Sequence, residues 1–547
     1  MKRKLYTFLS LFFLSFPLVG FAQPLYLHWS KFFGTAGDDR VADAILTSDS
    51  SVVFVGLTAD TTGLYDFPLT PPDSSFPWVN LVVGKIDTGK QLTWTKVYRG
   101  SRRESGQSIK QLSDGGFIIL GSTESHDGDI TFNHGQTDLW LLRLDSLGNL
   151  VWQKTYGSSL HEEPISVIQT SDNGFLFLGV SNGSDGDVPV HYGGLFGFDL
   201  LLIKTDPAGS IQWTKVVGGT GEEGFAGDLL EINNSYFLVS SSTSYDHDCN
   251  DTSWRSGPHS DRDFYMFRLD TSGSILWSKS YGGSDEDYAV NVTWDDRDSS
   301  IIINGHSESD DYMVQNWNTG NDYSIWLVKT DINGNVLWGS TLGDTSTDSY
   351  SSGILPSENG GYILSSQCYA GWPVKPGRVG SYDTRIFLLD SSGSCFYDKV
   401  FGGIYSEPGS RVLLPHKDGY TVLGESLSGQ FTEGSNLNSN HDISGTADIC
   451  WSALLTYPDP LSVSSKKANQ SHLQVFPNPA KDIVKVVLPD TEGTLAVFDG
   501  SGKAVYNKFY KGRSEVTINT AVWPAGVYIV RWTNNNGERY STKLIHN

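Results

Sequence analysis

The chain repeats itself, and the repeat limits what it can fold into more than any other feature. One unit reads Ser108-Ile-Lys-Gln-Leu-Ser113, Asp114-Gly-Gly116, Phe117-Ile-Ile-Leu-Gly-Ser122, a polar loop, Asp138-Leu-Trp-Leu-Leu-Arg-Leu-Asp145, Ser146-Leu-Gly148-Asn149 and Leu150-Val-Trp152-Gln-Lys154-Thr-Tyr156-Gly157. Each apolar run has the length of a strand, and each break is a turn signal. The aromatic residue of the fourth run recurs as Trp29, Trp94, Trp152, Trp213, Trp277, Trp338 and Tyr397, at spacings of 58 to 65 residues, and so marks seven units.

Asp114-Gly-Gly116, and Asp145-x-x-Gly148-Asn149 with its relatives at Asp206, Asp270, Asp331 and Asp390, put Gly or Asn where a tight hairpin needs positive φ. Each unit therefore reads as two hairpins forming one four-stranded antiparallel sheet. Such a sheet cannot bury both faces alone, and radial stacking of several gives a β-propeller. Residues Leu25 to Phe33 carry a fourth-strand pattern without three strands before it, while the last unit, through Ile449-Cys-Trp451-Ser-Ala-Leu-Leu455, lacks a fourth. The N-terminal strand is expected to complete the last sheet and remove two free edges. An open solenoid would instead need polar caps at both ends.

Composition agrees: 59 Gly, 16 Trp and 25 Tyr against 3 Met suit short strands and tight turns. The net charge of −23 excludes a phosphate-binding face and hence nucleic acid as partner. Cys249, Cys368, Cys395 and Cys450 are far apart and form no C-x-x-C pair; up to two disulfides or buried free thiols are both open. Met1-Lys2-Arg3-Lys4, an apolar run from Leu5 to Val19 and Gly20-Phe21-Ala22 read as a cleavable secretory signal over residues 1–22. No other run is long enough to span a bilayer, so no transmembrane segment is expected in the mature chain.

After Tyr457-Pro-Asp-Pro460 a polar linker over 458–471 leads to a different pattern over 472–547. Val475-Phe-Pro477-Asn478-Pro479-Ala480-Lys-Asp482, Asp499-Gly-Ser-Gly502-Lys503, Gly526-Val-Tyr528-Ile and Lys543-Leu-Ile read as a small β-sandwich. Together these motifs resemble the type A sorting domain of the type IX secretion system of Bacteroidetes. The resemblance implies recognition by that machinery, passage through the outer membrane, and a secreted or cell-surface protein whose sorting domain is removed and whose cargo can be attached to surface lipopolysaccharide. The Asp145, Gly148, Asn149 and Trp152 pattern resembles the repeats of quinoprotein-like propellers over residues 25–457, which implies the fold and not a quinone cofactor. The expected class is all-β: a seven-bladed propeller of four-stranded blades over 23–457, then the C-terminal sandwich.

Acidic residues recur in two loops of each unit. Asp38 and Asp39, Glu104, Glu162 and Glu163, Glu222 and Glu223, Glu286 and Asp287, Asp348 and Glu407 precede strand one; Asp60, Asp127 and Asp129, Asp185 and Asp187, Asp246 and Asp248, and Asp310 and Asp311 follow strand two. In an up-and-down blade both loops emerge at one end. Asp127, Asp129, Asp185, Asp187, Asp246 and Asp248 are thus candidates for a ligand-binding acidic face, with calcium a possible cofactor. The competing reading is that these carboxylates cap backbone N–H groups. Asp246, Asp248 and Asn250 resemble half a calcium loop, but Asp251 and Gly257 stand where Gly and Glu are required. Gly219-x-Gly221-x-x-Gly224 has no helix after it, His161-Glu162-Glu163 lacks a second histidine, and lone His306 reads as framework. With no catalytic motif, the reading is an exported module that binds a glycan or protein. A polysaccharide hydrolase or lyase with scattered acids and a purely structural surface protein are the alternatives.

Overall fold

A computed structural model describes residues 25–33, 38–59, 79–194, 197–251, 261–314, 323–343, 348–357, 360–369, 382–401, 410–416, 419–426, 448–456, 473–476, 480–488, 492–499, 503–512, 515–534 and 539–546. The candidate signal segment, the linker and residues 60–78, 252–260 and 427–447, which include Asp60 and Gly257, lie outside the described residues. The chain divides into two compact units, Met1–Leu455 and Thr456–Asn547. Among the described residues no helix is long and apolar enough to cross a membrane.

The first unit is all-β, and its four-stranded sheets are consistent with the blades of a propeller. Sheets I to VI run consecutively over residues 39–98, 104–156, 162–217, 223–281, 287–342 and 348–401, each with its strands side by side in chain order. Sheet VII combines Ser410–His416, Gly419–Ser426 and Asp448–Thr456, with Leu25–Phe33 lying beside the last. In sheet II, strand two (Phe117–Thr123) is buried at every position, because another sheet covers each of its faces. Such a strand shows an unbroken apolar run where a half-exposed strand would alternate.

Apolar clusters fill the spaces between sheets. Val53 and Leu81 of sheet I meet Ile119 and Trp140 of sheet II, and comparable clusters join II to III, III to IV, IV to V, V to VI and VI to VII. A further cluster joins Val412 and Leu423 of sheet VII to Val41, Phe54 and Val82 of sheet I. Strand one of each sheet carries a register shift in its first half, as at Val41/Asp43, Gly106/Ser108 and Ala289/Asn291. The shift bends the strand and frees side chains to tie neighbouring sheets. Asp43 accepts from the Ile109 N–H at 2.9 Å, and Asp228 accepts from Ser166 at 2.7 Å and Asn291 at 2.6 Å.

The Asp-x-x-Gly turns work across these interfaces. Within its own turn, Asp145 accepts from the N–H groups of Leu147 and Asn149 at 2.9 and 2.8 Å, while Gly148 has φ +77°. The Trp94 ring of the preceding sheet lies on Gly148, where a Cβ would come within 2.7 Å of it. Tyr98 donates its hydroxyl to the Gly148 carbonyl, and Lys96 reaches Asn149 at 3.0 Å. Trp152 on Gly209, Trp213 on Gly273, Trp277 on Gly334 and Trp338 on Gly393 repeat the contact, each glycine again at positive φ.

In the second unit, one sheet joins Gln474–Phe476, Ile483–Val487 and Glu515–Asn519, and the other joins Ala504–Lys511, Glu492–Phe498, Gly526–Asn534 and Arg539–His546. Strict alternation, buried at Val484 and Val486 and at Gly493, Leu495 and Val497, turns one face of each sheet into a shared core with Val530, Trp532 and Leu544. Tyr528 is buried and donates to the Pro524 carbonyl at 2.7 Å, and Asp499 accepts from the Lys503 N–H at 3.0 Å. The Asp482 carbonyl accepts from the Thr520 N–H, and the Lys543 backbone pairs with Ile529. Nothing in the structure explains a glycine at Gly526; Pro477, Asn478, Pro479 and Gly502 lie outside the described residues. Cys249 is a buried free thiol and Cys395 an exposed one, Cys368 is buried, and no two of these three are joined; the Cys450 side chain lies outside the described residues.

Gly148→Ala should cost about 2–5 kcal/mol, from the left-handed backbone and the Trp94 overlap together. Gly115→Ala, also at positive φ (+85°) but with no neighbour of the added methyl closer than 4.0 Å, should cost only about 1–2 kcal/mol. Urea unfolding of the two variants measures the difference, and equal costs would remove the ring contact from the explanation.

Candidate functional site

In sheets II to V the two acid-bearing loops meet at one end of the sheet, and their carboxylates hold each other's backbone. Asp127 accepts from the Ser101 N–H at 2.8 Å, and Asp129 from the Arg99 N–H at 2.9 Å. One sheet on, Asp185 accepts from the N–H and hydroxyl of Ser159 at 2.7 and 2.8 Å, and Asp187 lies 3.3 Å from the Gly157 nitrogen. Asp246 does the same with the N–H and hydroxyl of Thr220, and Asp311 with the Ser284 N–H. Positive φ at Gly128, Gly186, His247 and Tyr312 turns each loop so that its acid faces the neighbouring loop.

The candidate calcium residues take separate partners. Asp246 is held by Thr220, Asp248 lies 3.9 Å from the Lys215 amine, and the Asn250 amide donates to the His247 carbonyl at 2.9 Å. Among the described residues no group of three or more His, Cys, Asp or Glu side chains is arranged to hold a metal ion.

Beneath these loops, Glu104, Glu162, Glu223 and Asp287 begin strand one of sheets II to V and are fully buried. Each accepts an N–H from four residues upstream, at Gly100, Ser158, Gly219 and Gly283, over 2.7–3.1 Å. A second carboxyl, from strand three of the preceding sheet, stands close by in three of them. A Cβ built on Gly157 would lie 2.4 Å from Glu162 Oε2 and 2.9 Å from Asp138 Oδ1; Gly218 relates Glu223 to Asp199 in the same way, and Gly282 relates Asp287 to Asp263. Asp138 Oδ1, Asp199 Oδ1 and Asp287 Oδ1 are buried without a hydrogen bond among the described residues. Burial, helped by the Asp199 charge, pushes Glu223 up to about 7. Burial pushes Asp287 up to about 7 as well, and raises Glu104 and Glu162. Imidazoles partner two of the strand-three acids: His134 Nδ1 lies 2.6 Å from Asp138, whose bond raises the histidine's pKa, and His191 Nδ1 lies 2.8 Å from Asp199.

The repeat breaks between sheets V and VI. Tyr288 and His306 face each other across strands one and two of sheet V, where sheet II has Ser105 and Ser122 and sheet III has Glu163 and Val180. Their rings stack at 5.1 Å. Tyr323, just before strand three, and Tyr350, on strand one of sheet VI, present to His306 at 5.2 and 5.1 Å with interplanar angles of 86° and 78°. The four rings are half-buried. Arg262 lies over the Tyr288 ring at 5.4 Å and reaches Glu222 at 3.2 Å; Glu286 and Arg262 reach the Tyr288 hydroxyl, and Glu308 reaches that of Tyr323. Burial pushes His306 down to about 4. His306 Nδ1 and Glu286 Oε2 are buried without hydrogen bonds among the described residues, each a desolvation cost of about 1–3 kcal/mol until a partner arrives. No local motif announces this cluster, since its rings come from four strands or strand entries. Comparing equivalent positions of successive units, serine in one and tyrosine in another, was the available signal.

Residues 474–547 match the family described as the secretion system C-terminal sorting domain, so this segment is a sorting tail, and the chain is exported cargo of the type IX system, secreted or at the cell surface. Among curated proteins, an endo-acting ulvan lyase of Formosa agariphila is 26% identical over 149 residues, which are 27% of this chain and 27% of that protein. This chain therefore spans about a quarter of that relative's length. Among solved structures, a protein of unknown function from Dyadobacter fermentans aligns over 79% of this chain and 99% of its own, at 11% identity and a TM-score of 0.39. A GH43_1 enzyme from Xanthomonas citri aligns over 58% and 94%, at 8% identity and a TM-score of 0.29. Structural similarity at these TM-scores says nothing of function.

The raised carboxyls set a pH dependence. A buried acid whose folded pKa exceeds its unfolded value near 4 stabilises the protein fully below that value and loses the contribution as pH rises through the folded one. Melting temperature should therefore fall between pH 5 and pH 8, and Asp287→Asn together with Glu223→Gln should flatten that fall. A wild-type melting temperature that rises over the interval would contradict the assignment.

Proposed function

We propose that the repeat unit is a closed seven-bladed β-propeller that serves as an extracellular binding module, carried across the outer membrane by its sorting domain. Closure is supported by the apolar cluster joining sheets VII and I and by Leu25–Phe33 lying beside Asp448–Thr456. The signal over residues 1–22 starts export, and removal of the sorting domain leaves the cargo released or attached to surface lipopolysaccharide.

One observation carries the binding reading: Asp127, Asp185 and Asp246 are spent on backbone N–H groups, while a half-buried ring cluster with unsatisfied polar atoms interrupts the repeat between sheets V and VI. A rigid scaffold with one variable site is how binding surfaces are commonly built. The ligand is a surface polymer, glycan or protein, and its capture is expected without calcium, since Asp246 is held by Thr220 and the Asn250 amide by the His247 carbonyl. Cleavage of a polysaccharide is the second reading, favoured by the partial likeness to an ulvan lyase. The raised acids Glu223 and Asp287 speak against their serving it, being sealed from solvent.

Full-length protein applied to a polysaccharide array, with calcium and then with EDTA, followed by analysis for released oligosaccharide, separates the readings. Retention that is unchanged by EDTA and yields no product is expected. Release of unsaturated or reducing-end oligosaccharides would replace binding by catalysis, and loss of retention in EDTA would reinstate a calcium site.

A further inference from the structure

We propose that the cluster of Tyr288, His306, Tyr323 and Tyr350 is a saccharide site that takes one pyranose unit of an extracellular polysaccharide. The assignment rests on the binding reading and gives it a place and a ligand class.

A pyranose presents apolar C–H faces and a rim of hydroxyls. It is held where aromatic faces meet convergent donors and acceptors in a small concavity. The cluster supplies both. Tyr323 and Tyr350 stand nearly perpendicular to the imidazole, at 86° and 78°, and 5.2 Å from each other, so the four rings form one tilted aromatic group and not a single stack. Rings serving only the core behave differently: Trp140 and Trp326 are sealed from solvent, whereas these four keep part of their surface exposed.

The polar atoms fit the same ligand. His306 Nδ1 and Glu286 Oε2 are buried at the cluster with no hydrogen bond among the described residues, although Arg262 Nε lies 3.8 Å from the latter. A neutral imidazole nitrogen and a carboxylate oxygen both suit a hydroxyl partner. Glu308, at the Tyr323 hydroxyl, adds a second carboxylate at the edge. The position is also apt, because these residues lie where strand one begins and strand two ends, beside the loops that bear the acids. A polyanion is disfavoured by Glu222, Glu286 and Glu308, two of which already approach Arg262. Neutral saccharides are therefore the expected class.

The test is calorimetric titration of the full chain with cellohexaose, xylohexaose, laminarihexaose, mannohexaose and an ulvan oligosaccharide. At least one neutral hexaose should bind, and Tyr288→Ala and Tyr350→Ala should each weaken it on the order of tenfold. Asp127→Asn, in the loop framework, should leave affinity unchanged. Should an alanine variant melt early, Tyr323→Phe carries the test by removing one hydroxyl, with a smaller loss expected. Wild-type affinity in folded ring variants would overturn the site while leaving the binding reading intact. No binding by any of the five would overturn the sugar assignment, and retention of the same protein on an array of surface proteins would show that the binding reading survives it. If the ulvan oligosaccharide alone bound, the neutral class would be wrong.

Discussion

From sheet I to sheet VI the structure depends on a tryptophan of one sheet resting on a glycine of the next. The glycine is required twice over: its positive φ makes the hairpin, and its missing side chain lets the ring approach. Sequence neighbours such as Gly148 and Trp152 thus serve different interfaces, Gly148 receiving Trp94 from behind while Trp152 reaches forward to Gly209. A motif that looks local is a chain of contacts handed from sheet to sheet. Repetition across sheets II to V follows from this, because each of them offers both the socket its predecessor needs and the ring its successor needs.

In sheets II to V the opposite end is tied by carboxylates. Glu104, Glu162, Glu223 and Asp287 organise a loop through its N–H groups and stay buried to do it. Part of the acidity of this chain is therefore structural, and its abundance is a poor guide to where a ligand sits. That redirects attention from the acids to the place where the pattern fails, between sheets V and VI.

Much of the architecture was legible from residues alone. Phe117–Thr123 and Asp138–Leu144 read as strands because they are unbroken apolar runs between turn residues, and Asp145, Asp206 and Asp331 read as turns because their side chains cap them. The sorting tail was legible because its motifs are dense within one short segment. The direction of Asp127 and Asp185 was not, since nothing in one sequence separates a carboxylate that faces solvent from one that faces a neighbouring loop. Nor was the ring cluster: Tyr288, His306, Tyr323 and Tyr350 span more than 60 residues of chain, and only the pairing of strands and the packing of sheets bring them together. His306, read as framework, turns out to be the ring around which the other three gather.

A double-mutant cycle between Trp152 and Gly209 tests the inter-sheet contact most directly, with unfolding free energies measured for Gly209→Ala, Trp152→Ala and the pair. The cost of Gly209→Ala should shrink, by about 1–3 kcal/mol, once Trp152 is absent, leaving only the backbone penalty of a non-glycine residue at positive φ. Additive costs would mean that ring and glycine do not meet, and the sheet-to-sheet linkage would have to be sought elsewhere.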